Sequence, residues 1–299
     1  MTLDTVAILS PGEMGGGVGA ALRRQGRDVL TCLAGRGGET RARAERLGFR
    51  LCEDLDTMVA EADIVLSILP PEAARAVAED VAAAMRRTGK APPYAELNAI
   101  APDSSRTIEG LFRGTGANYI DGGIVGLPPA EGRTPTRIYV SGNGAPALDA
   151  FDGKEMAIRQ CGPEIGRASS VKMCYASVSK GTNALHTAAM TAADSLGVGD
   201  ILRAEIADSV PAVYERMEAN IPRLPADSGR WVREMEEIAK TYASAGLPSG
   251  FHLAAAEIFR LLDTTPYGSE TRETMDRTRT MEQTVAACGA ALRKREAAE

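Results

Sequence analysis

The stretch Thr5-Val6-Ala7-Ile8-Leu9-Ser10-Pro11-Gly12-Glu13-Met14-Gly15-Gly16-Gly17 runs from a short apolar segment into a glycine-rich turn and on into an amphipathic segment. A strand that enters a helix through such a turn is the first half of a βαβ unit. Working outward, the same alternation repeats. Residues 29–33, 62–68, 94–97, 118–124 and 137–141 read as strands; residues 39–47, 71–87 and 102–112 read as helices, the second with proline in its first turn. A Gly- and Pro-rich loop at 126–135 separates the last two strands. Strands alternating with helices predict an α/β, doubly wound parallel sheet of the Rossmann type.

Beyond residue 166 strands give way to helical patterns, so the expected organisation is a Rossmann domain over 1–166 and an all-α domain over 167–299. Residues 168–196 contain no proline and one glycine, Gly181. That allows one interdomain helix of roughly 29 residues, about 43 Å long. Further helices are predicted at 200–219, 228–245, 250–262 and 271–293, with a frayed end over 293–299.

Composition removes several classes of function. The 299 residues carry 34 Lys plus Arg and 40 Asp plus Glu, a formal net charge of −6, with no concentrated basic run. Nucleic acid and anionic membranes are therefore not expected partners. The apolar runs fall short of the roughly 20 residues a membrane span needs. The N-terminal apolar run ends at once in Ser10-Pro11-Gly12, without the pattern of a secretory signal, so the cytoplasm is the expected location. Five cysteines at irregular spacing, with only two histidines, argue for free thiols rather than a disulfide framework or a zinc site.

The first turn carries the chemistry of dinucleotide binding. Glycine at 12 lets the backbone approach a pyrophosphate, and glycine at 15 lets the helix pack closely on its strand. Ser10 occupies the first glycine position of the usual pattern, and a glycine turn with no ligand is the plain alternative. Cofactor choice turns on the end of the second strand, where an NAD site carries an acid. No acid lies between Val29 and Gly38; the segment offers Arg36 instead, followed by Arg41 and Arg43, which as a plainer reading only solvate a helix face. An arginine without a carboxylate suits a 2′-phosphate, so NADP (NADPH) is the favoured cofactor and NAD the second choice. Farther along, Lys172 opens a line of polar groups on one helix face: Tyr175 at i+3, Ser179 at i+7 and Asn183 at i+11. An amine and a phenol so placed can bond a carbonyl oxygen, and a lysine can exchange its proton. His252 and Glu236 are further candidates for a substrate contact, with a structural role as the alternative for each. Trp231 is expected to anchor helix packing.

These residues resemble the β-hydroxyacid dehydrogenases, which include 3-hydroxyisobutyrate and 6-phosphogluconate dehydrogenases, in ordered blocks over the first 200 residues. Residues Ser10, Gly12, Glu13, Met14 and Gly15 look like that family's glycine turn, and Leu66-Ser67-Ile68-Leu69-Pro70 like its cofactor-contacting strand end. The stretch from Glu96 to Pro102, with Asn98 inside it, and the stretch Asp121-Gly122-Gly123-Ile124-Val125-Gly126 stand at its two substrate-side blocks. Lys172 matches its catalytic lysine. The resemblance implies cofactor contacts at Ser10, Gly12, Glu13, Met14, Gly15, Leu69, Pro70 and Asn98, and substrate contacts at Asn98, Gly122, Gly123 and Tyr175. It implies Lys172 as general acid/base, a small-molecule substrate and a homodimer whose helical domain closes over the substrate. Two positions depart: Val125 stands where the family has a serine, and Tyr175 where it has an asparagine, the groups that hold a substrate carboxylate or hydroxyl. The C-terminal half resembles a branch related to 6-phosphogluconate dehydrogenase whose helical domain has no known function. The expected reaction is hydride transfer between nicotinamide and a small hydroxy acid. An imine reductase and a non-catalytic nicotinamide-binding protein are the alternatives; the former group typically lacks the lysine found at 172.

Overall fold

The computed structural model describes residues 3–34 and 37–296, and the chain forms two compact units, Met1–Met173 and Cys174–Glu299. The first is built on an eight-stranded sheet: β1 (Thr5–Ile8), β2 (Asp28–Cys32), β3 (Arg50–Cys52), β4 (Ile64–Ser67), β5 (Tyr94–Glu96), β6 (Tyr119–Val125), β7 (Thr136–Ser141) and β8 (Met156–Gln160). Their spatial order is β3-β2-β1-β4-β5-β6-β7-β8, and every pair is parallel except β6–β7. Helices α1 (Glu13–Arg24), α2 (Gly38–Arg46), α3 (Leu55–Glu61), α4 (Ala74–Thr88) and α5 (Pro102–Leu111) connect the strands.

Strand polarity follows burial. Val6, Ile8, Leu66, Ile120, Ile124, Ile138 and Val140 project to one face and form one core with Val18 and Leu22 of α1. Ala7, Leu30, Val65, Tyr94 and Tyr119 project to the other, against Val81 and Met85 of α4. Covering both faces requires near-continuous apolar strands such as Ile64–Ser67. The chain leaves β1 in one direction and β4 in the other, so the sheet's switch point lies between the carboxyl ends of β1 and β4, where doubly wound sheets bind ligands.

The sequence reading missed β3, α3 and β8. β3 is three residues long, and β8 follows the antiparallel step, outside the βαβ rhythm that made the other strands legible.

The second unit is helical. The unit boundary falls within α6 (Arg167–Ala176), beyond the expected division before Arg167. The reason is local: backbone N–H groups of Gly166, Ala168 and Ser169 bond Asp121 and Ser141 of the sheet, holding the start of α6 in the first unit. The expected single helix over 168–196 is helical throughout but carries a π-turn at Ser177–Gly181 before α7 (Thr182–Ser195).

The expected helix over 200–219 is two, α8 (Gly199–Ser209) and α9 (Pro211–Asn220), because Pro211 lacks an amide hydrogen and stands at the first position of α9. Helix α10 (Pro225–Ser244) begins earlier than expected, with proline in its first turn, and α11 (Gly250–Asp263) follows. The last helix, α12 (Met281–Glu296), is shorter than the 271–293 prediction at its start. Over 271–280 the side chains of Thr274, Asp276 and Gln283 accept from the backbone amides of Thr271, Thr278 and Thr280, turning the chain in place of a helical ladder. At the other end α12 continues through Arg293 to Glu296, so part of the segment expected to fray is helical; residues 297–299 lie outside the described residues. Trp231 packs edge-on against Phe259, with ring centres 5.3 Å apart. Among the described residues no helix is long and apolar enough to cross a membrane.

Candidate functional site

At the switch point, Ser10 and Pro11 lead into α1, whose N-terminal Gly12 is extended (φ −65°, ψ −170°) and offers no side-chain cap. Backbone amides in that first turn, reinforced by the helix dipole, favour a phosphate. The glycines here do different work. A Cβ on Gly12 would have only Ser10 Oγ nearby, at 4.0 Å, so this position stays open. A Cβ on Gly15 would stand 2.1 Å from the Ser10 carbonyl oxygen, and one on Gly17 would stand 2.9 Å from Pro128. Gly15 therefore brings α1 onto its strand, and Gly17 lets the loop after β6 rest on α1. The open turn, the bare helix end and the close strand–helix approach fit a dinucleotide pyrophosphate. Glu13 and Met14 lie in the same first turn of α1.

At the carboxyl end of β2, Leu33, Ala34, Arg41, Leu51, Cys52 and Glu53 line a groove of about 300 Å³. Arg41 thus lies at the ribose end of the expected cofactor position, with Arg43 beyond it on α2. Arg36, the residue on which the NADP expectation turned, lies outside the described residues.

Leu69 and Pro70 follow β4, where Asn98 fixes them. Its Oδ1 accepts from the Leu69 amide, its Nδ2 donates to Ser67 Oγ at 2.9 Å, and its own amide donates to Glu96 Oε1 at 3.0 Å. Asn98 is 3% exposed, and both its amide oxygen and its amide nitrogen have protein partners. It braces the β4 and β5 ends as much as it faces any ligand. Glu96 beneath it is wholly buried, and burial pushes its carboxyl up to about 8.

Of the residues expected on the substrate side, Gly122, Gly123 and Lys172 meet at β6. Gly122 and Gly123 lie inside this buried strand. A Cβ on Gly122 would strike Leu97, and one on Gly123 would stand 2.5 Å from Lys172 Cβ, so the two glycines admit Leu97 and the lysine stem. Lys172 Nζ donates to the Ile124 carbonyl at 2.7 Å. The lysine is held there because Asp121 Oδ2 accepts from the Gly166 and Ser169 amides, both at 3.1 Å, and from Ser141 Oγ at 2.8 Å, while Oδ1 accepts from Ser105 Oγ at 2.7 Å. One buried carboxylate thus pins the N-terminus of the helix that carries Lys172. The motif around Asp121 does not signal this task, because one donor lies 16 positions before it and the others 20 to 48 positions after it.

Tyr175, three residues after Lys172 on α6, is half-exposed. His252 is buried in the second unit; its Nε2 lies 2.7 Å from Ser177 Oγ, and burial lowers its pKa. Glu236 is bound by Arg260 and Arg233. Both residues are engaged by the fold of the helical unit itself.

A dinucleotide-type turn at a sheet's switch point and a helical second unit define the class of nicotinamide-dependent α/β oxidoreductases. Residues 5–89 match the family described as NADP oxidoreductase, coenzyme F420-dependent, and residues 193–262 match a domain of unknown function, DUF1932. Together these matches support a hydroxyacid dehydrogenase-like fold with that C-terminal helical domain. An uncharacterised 28.5 kDa protein from the 7S RNA 5′ region of Methanothermus fervidus is 26% identical over 175 residues, 58% of this chain and 65% of that one. The match takes in less than two-thirds of that relative. A conserved protein of unknown function, noted for structural similarity with 3-hydroxyacid dehydrogenases, is 26% identical with a TM-score of 0.62, covering 87% of this chain and 96% of its own. In fold the chain resembles Mycobacterium tuberculosis 3-hydroxyisobutyrate dehydrogenase, solved with L-serine, at 18% identity and a TM-score of 0.66, over 97% and 99% of the two chains. It also resembles a Streptomyces aurantiacus imine reductase at 20% identity and a TM-score of 0.51, over 91% and 98%.

Proposed function

We propose that this protein is an NADP-dependent dehydrogenase that interconverts a small hydroxy acid and its carbonyl partner, with Lys172 as general acid/base. The observation that carries the reading is Lys172: half-buried, its stem seated on Gly123 and its amine bonded to the Ile124 carbonyl at the edge of β6. A lysine amine carries up to three donors, and as a substrate oxygen beside it gains or loses charge the amine gives or takes a proton. Ser10, Gly12, Glu13, Met14 and Gly15 would hold the pyrophosphate, Leu69, Pro70 and Asn98 the nicotinamide side, and Arg36 the 2′-phosphate. The cofactor, when bound, supplies or accepts the hydride. Gly122 and Gly123 shape the strand beneath the substrate, and Tyr175 offers a phenol one helical turn from the lysine. A homodimer is part of this reading, as is a small-molecule substrate. The lysine favours an alcohol–carbonyl couple over imine reduction.

Calorimetric titration with NADPH and NADH tests the cofactor. Micromolar NADPH binding that weakens at least tenfold in Arg36→Ala, with NADH poorer, supports the reading; failure of both nucleotides to bind sinks it. With a reacting substrate pair in hand, Lys172→Met is expected to lower kcat by about 10²–10⁴-fold while NADPH affinity stays unchanged. Unchanged turnover would leave a nicotinamide-binding protein without this chemistry.

A further inference from the structure

The face of the sheet on which Lys172 rests also carries a cation for which the described residues provide no ion pair. In the antiparallel β6–β7 ladder Gly123 pairs with Tyr139 and Val125 with Arg137. Paired residues of such a ladder put their side chains on the same face. That face is the one on which Lys172 rests, since its Cβ occupies the space above Gly123. Arg137 therefore leaves β7 on the lysine's side, two residues or about 7 Å farther toward the carboxyl end of β6. Its guanidinium reaches the loop that follows, with Nη2 4.0 Å from where a Cβ would stand on Gly126.

Arg137 is half-buried, its Nε is shut off from solvent without a hydrogen-bond partner, and no ion pair to it is found among the described residues. Arg27 Nε and Arg279 Nη1 are likewise shut off without a hydrogen-bond partner, but those arginines have an anion: Arg27 holds Asp4 at 2.9 Å and Arg279 holds Glu270, as Arg272 holds Asp227 at 2.9 Å. Burying one nitrogen of a guanidinium without an acceptor is costly, and an arriving anion would offset that cost. The neighbouring position on β6, where hydroxyacid dehydrogenases carry a substrate-holding serine, is Val125, which has nothing to bond with.

The geometry points to Arg137 as the residue that receives the acid group of the substrate, taking over the task that Val125 cannot perform. The inference rests on the dehydrogenase reading above and names its specificity determinant. The guanidinium fork matches the two oxygens of a carboxylate. The ligand is then a small acid whose carboxylate sits on Arg137 and whose hydroxyl or carbonyl oxygen faces Lys172.

The test is calorimetric binding of 3-hydroxypropionate and 3-hydroxybutyrate, each against its methyl ester, to the full chain in the presence of NADP. The acids are expected to bind and the esters to bind at least tenfold more weakly. Arg137→Met, whose fold is checked by circular dichroism and thermal unfolding, is expected to lose at least tenfold in acid affinity while NADPH affinity and ester binding stay unchanged. Arg137→Lys, a point charge without the fork, is expected to recover part of the loss. In turnover, Arg137→Met raises KM and spares kcat, the reverse of Lys172→Met. Acids and esters that bind alike, no acid binding to the wild type, or wild-type acid affinity in Arg137→Met overturns the assignment. The two readings fail separately: absence of nucleotide binding removes the dehydrogenase, whereas intact nucleotide binding without acid preference removes only Arg137.

Discussion

Glu96 sits at the end of β5, wholly buried, with the Asn98 amide on one oxygen and the Tyr94 hydroxyl 3.4 Å from the other. Burial is the first cause that lifts its carboxyl from 4.5 to about 8, and nearby Asp121 adds to it. At neutral pH the folded protein thus keeps a proton that the unfolded chain releases. Because the folded value is the higher one, the contribution to stability is complete below about pH 4.5 and is lost as pH rises through about 8. Inside that window the loss approaches about 1.4 kcal/mol per pH unit. Urea midpoints measured from pH 5 to 9 are expected to fall more steeply in the wild type than in Glu96→Gln, which keeps the shape and cannot ionise; parallel curves would refute the buried-acid account. The acid was readable in the sequence, but its isolation was not. That isolation comes from the pairing of β5 with β4 and β6, which no local pattern around position 96 encodes.

Among elements, α6 depends on Asp121 more than on its own sequence. Four donors from β7, α5 and the α6 entry converge on one carboxylate. Asp121→Asn keeps the volume but sets an amide NH₂ against donors, and is expected to cost about 2–4 kcal/mol in urea unfolding. It should also lower kcat, because the start of the helix that positions Lys172 loosens, while leaving NADPH affinity intact. A stability loss without a kcat effect would separate the cap from the chemistry. The βαβ elements were legible because their apolar runs and glycine turns are local. What escaped was set by partners distant in sequence: β8 by its pairing with β7, the braced side chain of Asn98 by Ser67 and Leu69, and the exposure of the Val125 position to Arg137 by an antiparallel ladder. The split at Val210–Pro211 was the opposite case, readable from proline alone.

On the scale of the whole molecule the charge is −6, so the long-range field opposes any anionic nucleotide, and it opposes NADPH the more strongly because the 2′-phosphate adds about 1.5 to 2 negative charges. On the NADP-dependent reading, a preference for NADPH has to come from cations within a few ångströms of its 2′-phosphate. The groove beyond β2 supplies Arg41 there, with Glu53 opposing it on the same lining, and Arg36 and Arg43 are the other cations of that segment. Salt distinguishes the two contributions, since the screening length falls from about 10 Å at 0.1 M to about 3 Å at 1 M. Raising KCl from 0.05 to 0.5 M relieves the distant repulsion, more for NADPH than for NADH, but weakens the arginine–phosphate attraction at contact, which is the larger effect on NADPH. The ratio of NADPH to NADH affinity is therefore expected to fall by at least threefold over that range in calorimetric titrations. The fall should shrink in Arg41→Ala and more so in Arg36→Ala. A ratio indifferent to salt would mean that the discrimination comes from the shape of the groove instead of its charge.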